Sequence, residues 1–275
     1  MKERHIRVAR TARYYTLGSA GPHLREIWIV CHGIRQLARR FLPRFAELDD
    51  GTRLIVAPEG LSRSYLHGPE SRPDKPIPIG ATWMTREDRE NEITDYVEFL
   101  DAVLDEVTGG SDGGSGETAG EEPGQEAGEE PGQAAGEEPG QAAGEEPGQE
   151  AGQEAGEESD RESREKHAPL TVLGFSQGAH TVCRWLAAGD MPVARIILWG
   201  AYLPEDFDLA RGPERLRSAE LILVHGLLDH FISEEAHVAQ EARLEELGIP
   251  FKTITHAGGH ELDQAVLREI AGLAG

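Results

Sequence analysis

Six short runs of apolar, mostly β-branched residues punctuate the chain. They are EIWIVC (Glu26–Cys31), RLIVAP (Arg53–Pro58), LTVLGF (Leu170–Phe175), RIILWG (Arg195–Gly200), ELILVHG (Glu220–Gly226) and FKTIT (Phe251–Thr255). Runs of this length without polar alternation predict strands buried on both faces. Helical stretches are predicted over Gln36–Leu48, Arg86–Val107, Gln177–Ala188, Glu234–Leu247 and Glu261–Leu273. In the second of these, Ile93, Tyr96, Val97, Leu100, Val103, Leu104 and Val107 fall on one face. Alternating doubly buried strands and helices predict an α/β fold with a mostly parallel sheet flanked by helices. TARYYTL (Thr11–Leu17) is expected as a less buried strand at the sheet edge.

This pattern breaks over residues 109–166. From Glu121 an eight-residue unit repeats as EEPGQEAG or EEPGQAAG, with Pro and Gly in every full copy and no large apolar residue. Such a unit cannot offset the entropy of ordering its backbone by burial. The expected organisation is one domain from residues 1–108 and 167–275, carrying a disordered acidic insertion at 109–166. An unknown partner of that repeat, basic in character, is the alternative to a bare tether.

The insertion also changes the meaning of the net charge of −23. It holds 18 acidic and three basic side chains, a net −15, which leaves −8 for the rest of the 275 residues. An acidic balance argues against nucleic-acid binding, which needs a positive footprint. No apolar run is long enough for stable membrane insertion. MKERHIRVAR shows no apolar leader, and Cys31 and Cys183 both sit in apolar runs as expected of reduced thiols, so a cytoplasmic protein is expected.

The chemistry is concentrated in VLGFSQGAH, where a predicted strand gives way to a helix. Gly174-x-Ser176-x-Gly178 matches the strained strand-to-helix turn that presents a nucleophilic serine at a helix N-terminus. A serine that only caps a helix has no need of glycines two residues away on both sides. A serine nucleophile needs a base, and the base an orienting acid, in the chain order Ser, Asp/Glu, His. Asp229, in LVHGLLDHF, and His260, in THAGGHELD, each follow a predicted strand on the side where Ser176 stands. Ser176 is expected to attack, His260 to carry the proton and Asp229 to fix the imidazole. His256 is the competing base, and His230 sits beside Asp229. Two main-chain donors are expected to receive the developing oxyanion: the N–H of Gln177 and that of Ile34, with Arg35 as alternative, in the turn VCHGIRQ.

These motifs resemble the phospholipase/carboxylesterase branch of the α/β-hydrolases, which includes acyl-protein thioesterases and small bacterial carboxylesterases. The matching stretches are HG (His32-Gly33), GFSQG (Gly174–Gly178), HGLLDHFIS (His225–Ser233), GGHE (Gly258–Glu261) and GATWM (Gly80–Met84). The loop after HG departs from the family, reading IRQLA where the family has LGDxG. The resemblance implies an α/β-hydrolase fold, and the short span between the strands ending at Gly200 and starting at Glu220 implies no large cap domain. It implies a small-molecule ester substrate, no cofactor, and Trp83 as a substrate-binding residue. Arg63 and Tyr65, in the loop Glu59–Thr85, are expected either to touch substrate or to fasten that loop. Two other classes stand beside a serine esterase. One is a metal hydrolase built on His225, Asp229, His230, His256 and His260, although no H-x-H or H-E-x-x-H pair is present. The other is a catalytically inactive α/β-hydrolase-fold binding protein.

Overall fold

A seven-stranded sheet runs in the order β1-β3-β2-β6-β7-β8-β9, with β1 antiparallel to β3 and all other pairs parallel. The structure is a computed structural model and describes residues 1–67, 76–109 and 168–273. Its strands are β1 (Tyr14–Leu17), β2 (Glu26–Cys31), β3 (Arg53–Pro58), β6 (Leu170–Phe175), β7 (Arg195–Trp199), β8 (Glu220–Gly226) and β9 (Lys252–His256). A separate antiparallel hairpin joins β4 (Ser62–Tyr65) to β5 (Ile79–Thr82). The helices are α1 (Ala38–Phe41), continued by a 3-10 helix (Leu42–Leu48), then α2 (Arg89–Thr108), α3 (Gln177–Ala188), α4 (Gly212–Arg217), α5 (Glu234–Glu246) and α6 (Gln264–Ile270).

The doubly buried strands divide their side chains between two cores, as the two-residue period of a strand requires. On one face Ile27, Ile29, Val172, Ile196, Leu198 and Leu221 meet α2, α3 and α5 through residues such as Leu100, Val182, Trp185 and Leu244. On the other face Trp28, Val30, Leu173, Ile197, Trp199 and Ile222 meet Phe41, Phe45, Leu48, Val266 and Leu267. The architecture is therefore three-layered, α/β/α.

Several elements differ from the sequence expectation. The stretch Gln36–Leu48 is a single helical turn followed by a 3-10 helix; Pro43 supplies no N–H to continue the α-helical ladder, although Leu42 before it keeps α dihedrals. The final helix begins only at Gln264, where the Asp263 side chain accepts from the Val266 N–H at 3.0 Å. The β4–β5 hairpin, expected as loop, and α4 have no apolar run to announce them. The β7–β8 connection carries only the six-residue α4, so no large cap covers the sheet there. The expectations for 109–166 fall, beyond Gly109, outside the described residues. Gly109 ends α2, and the description resumes at Ala168, just before the amino end of β6.

Glu59 holds the first strand, α1 and the hairpin together. Its fully buried carboxylate accepts from Arg13 at 2.7 Å, Arg63 at 2.6 Å and the main-chain N–H of Ala38 at 3.2 Å. Glu59→Ala leaves the buried Ala38 N–H without its acceptor and frees two part-exposed guanidinium groups, and is expected to lower unfolding stability by about 1–3 kcal/mol. Urea denaturation checks this, and an unchanged midpoint would show that Glu59 does not hold these elements together.

Candidate active site

Strand order reverses around β2: β3 lies on one side of it and β6 on the other. Ligands of open α/β sheets bind at the carboxyl ends of strands flanking such a switch. Here those ends carry the turn Gly33–Gln36 after β2 and Ser176 after β6.

Ser176 stands between β6 and α3 at φ 55°, ψ −121°, a conformation costly for a residue with a Cβ. Its N–H donates to the Trp199 carbonyl at 2.8 Å, which ties the bend to β7. The flanking glycines are needed for closeness. A Cβ on Gly178 would stand 2.1 Å from the Cys31 carbonyl oxygen, so only glycine lets α3 start this near β2.

Asp229 follows β8, and its side chain is almost wholly shielded from solvent. One carboxylate oxygen accepts from the main-chain N–H groups of Phe231 (2.8 Å) and Ile232 (3.2 Å). The other lies 2.7 Å from Nδ1 of His260. Because that oxygen accepts, Nδ1 bears the proton, which in the neutral imidazole leaves the lone pair on Nε2. The imidazole is packed between the rings of Phe175 and Phe231, at centroid distances of 4.9 and 4.8 Å. Gly200, at φ 60°, makes room for it, since a Cβ there would stand 3.0 Å from the His260 ring.

Ser176 and His260 line one pocket of about 390 Å³, together with Ile34, Gln177, His180 and Tyr202. The N–H groups of Ile34 and Gln177 donate to no protein acceptor among the described residues. Gly33 is different: its N–H donates to Gln36 Oε1 at 3.1 Å. Arg35, the alternative donor, has φ 63°, the left-handed conformation of the third residue of a type II turn from Gly33 to Gln36.

His256 lies apart from this pocket. It is buried beside Trp199, and its Nδ1 accepts from the Gly258 N–H at 3.2 Å. His230 is exposed. Trp83 requires a correction to the expectation that it binds substrate. It is 1% exposed and absent from the pocket wall; its indole N–H donates to the His32 carbonyl at 2.8 Å and its ring packs on His32. Arg63 and Tyr65 also lie outside the wall, and Arg63 fastens its loop through Glu59. Among the described residues the one group of three side chains close enough to share a metal ion is Glu3, His5 and Asp88, all exposed.

Gly200, Phe231, His180 and Tyr202 are site residues that the sequence reading passed over. Gly200 ends a predicted strand and Phe231 lies within the stretch around Asp229, but neither position by itself indicates a role; His180 lies four residues after Ser176, one helical turn along α3. Burial and then the charge of Arg184 push its imidazole down to about 4, so it is a neutral polar wall of the pocket at pH 7. Burial and then neighbouring His225 likewise push His237 down to about 4, and burial depresses His32.

These histidines bind a proton more weakly folded than unfolded, where the ordinary value is about 6.5. Their contribution is complete above that value and is lost as pH falls toward 4. Asp206 does not oppose the trend in this window. Burial alone would raise it, but hydrogen bonds from Arg184 and Arg89 outweigh that and hold it at about 2. Stability should therefore fall between pH 7.5 and pH 5, by on the order of 1 kcal/mol each for His180 and His237. Thermal melts across that range check the sign, and a higher melting temperature at pH 5 would contradict it.

No protein-family model matches the chain, and no curated protein matches its sequence. Solved structures do match. Acyl-protein thioesterase 2 from Zea mays is 14% identical with a TM-score of 0.55, covering 96% of this chain and 100% of its own. SOBER1 from Arabidopsis thaliana is 13% identical with a TM-score of 0.55, covering 91% of this chain and 97% of its own. A Bacillus cereus carboxylesterase is 10% identical with a TM-score of 0.53, covering 96% of this chain and 93% of its own. The chain thus has the α/β-hydrolase fold, with a mostly parallel sheet flanked by helices. Among the described residues no helix is long and apolar enough to cross a membrane.

Proposed function

We propose that this protein is a serine hydrolase of the carboxylesterase and thioesterase type, cleaving small-molecule carboxylic esters or thioesters through an acyl-enzyme. The observation that carries the reading is the 2.7 Å contact from His260 Nδ1 to buried Asp229, with the imidazole and Ser176 lining one pocket. Ser176 Oγ attacks the ester carbonyl carbon while His260 Nε2 takes its proton. The carbonyl π pair moves onto oxygen, which the N–H groups of Ile34 and Gln177 receive. Collapse expels the alcohol or thiol, protonated by His260, and water then repeats the sequence on the acyl-enzyme. Asp229 stabilises the transient imidazolium and keeps its proton at Nδ1. The fold shared with a thioesterase and a carboxylesterase supports this reading by analogy.

The test is covalent labelling with an alkyl fluorophosphonate, followed by peptide mapping and turnover of short p-nitrophenyl esters with and without a chelator. Label on Ser176 with chelator-insensitive turnover is expected. Absence of both label and turnover would leave the chain as an inactive, ligand-binding member of the fold, and turnover abolished by chelator would return the metal-hydrolase reading.

A further inference from the structure

Gln177 enters the proposed chemistry only through its main-chain N–H, yet its side chain makes three hydrogen bonds in one direction. Oε1 accepts from Thr82 Oγ1 at 2.8 Å and from the Trp83 N–H at 3.1 Å, and Nε2 donates to the Met84 carbonyl at 2.9 Å. The amide orientation follows from its partners, since a main-chain N–H can only donate and a carbonyl can only accept. All three partners belong to β5 and the residues just after it.

The same segment holds the other oxyanion donor. The Ala81 N–H donates to the Gln36 carbonyl at 2.8 Å, so β5 is bridged to the end of the turn that carries Ile34. Gly80 lies under the Arg35 carbonyl, where a Cβ would come within 2.3 Å, and the Arg35 guanidinium donates to the Leu66 carbonyl at 2.5 Å. The indole of Trp83 donates to the carbonyl of His32, one residue before the turn. A closed circuit results: Gln177 side chain, β5 and Trp83, the turn Gly33–Gln36, the oxyanion space, and the Gln177 N–H.

We propose that the Gln177 side chain is a positioning residue that sets the separation between the two main-chain oxyanion donors, the N–H groups of Ile34 and Gln177. This rests on the serine-hydrolase reading of the same site. The start of α3 also touches the chain before Ile34, where Gly178 approaches the Cys31 and His32 carbonyls, but the far side of the turn, at Arg35 and Gln36, is held through β5, and its strained Arg35 needs surrounding contacts to hold it. Donors serve an oxyanion only when both stand at hydrogen-bond distance from where it forms, so slack in the circuit weakens transition-state binding more than substrate binding.

The experiment compares wild type with Gln177→Leu and Gln177→Glu, normalised to active sites by fluorophosphonate titration. Gln177→Leu is expected to lower kcat about 10- to 100-fold, below the loss for removing a whole donor, with KM within about twofold. Affinity for an alkyl trifluoromethyl ketone should fall by a similar factor. Ser176 Oγ bonds to the ketone carbon, the π pair goes to oxygen as an oxyanion, and the proton goes to His260, so the adduct reports on the donors directly. Gln177→Glu sets a carboxylate against the Met84 carbonyl. When protonated it again accepts from Trp83 and donates to Met84, so its turnover relative to wild type should rise as pH falls from 8 to 5.5.

Unchanged kcat and inhibitor affinity in Gln177→Leu would overturn the proposal, as would a loss confined to KM. Should Gln177→Leu fail to fold, a flat ratio for Gln177→Glu across that pH range would overturn it. Failure of the underlying reading looks different, because wild type itself would then take no label at Ser176.

Discussion

Ser176→Ala is expected to lower ester turnover on the order of 10⁶-fold and to abolish fluorophosphonate labelling, with little change in melting temperature. The Ser176 hydroxyl makes no hydrogen bond to the protein among the described residues, so its loss strands no buried partner. The remaining structure keeps its donors and pocket, but no oxygen is left to form the acyl bond. Alanine also has a Cβ, so the cost of φ 55° stays as it was. Ser176→Gly removes both nucleophile and strain, and should be inactive while melting slightly above Ser176→Ala. That contrast separates stability from chemistry within a single position. Turnover by Ser176→Ala above about one per cent of wild type would end the serine mechanism.

The interior strands of the central sheet were legible because each is a nearly solid apolar run, whereas the edge strands β1 and β9 are part-exposed. β2, β3, β6 and β8 begin and end at the residues the sequence indicates, since side chains buried on both faces leave few polar residues to blur the limits. The hairpin β4–β5 was not legible. Its residues Ser62, Arg63, Ser64 and Tyr65 are part-exposed or exposed, and pairing of two short strands leaves no periodic hydrophobic mark. Ser176, Asp229 and His260 could be proposed from order and spacing because each follows a readable strand. Phe231 and Gly200 could not, because packing around an imidazole is a tertiary relation with no local signature. Trp83 shows the converse error: an aromatic in a motif beside a site need not face it, and this one spends its N–H on a main-chain carbonyl behind the pocket. The Gln177 circuit lay between these extremes. Its residue was visible in the elbow motif, but partners 93 to 95 positions away in sequence were not.

His260→Gln should be as damaging as loss of the serine, whereas His256→Gln should retain turnover within a few-fold and lose only stability. His260 lines the pocket with Ser176 and is hydrogen-bonded to Asp229; His256 packs on Trp199 and caps its own loop. Asp229→Asn gives the sharper test of how the site works. An asparagine oxygen can still accept from the N–H groups of Phe231 and Ile232, which holds the loop. Its NH₂ then points at His260 Nδ1, and two donors cannot face each other. The imidazole must move its proton to Nε2, toward Ser176, where it can no longer accept one. Turnover should fall by on the order of 10⁴-fold although the side chain is nearly isosteric, as found for the wrong tautomer in serine proteases. Steady-state rates of the three variants, read beside their melting curves, check the assignment. An inactive His256→Gln with an active His260→Gln would reverse the two histidines. An active Asp229→Asn would mean that His260 is oriented by its flanking aromatic rings rather than by the carboxylate.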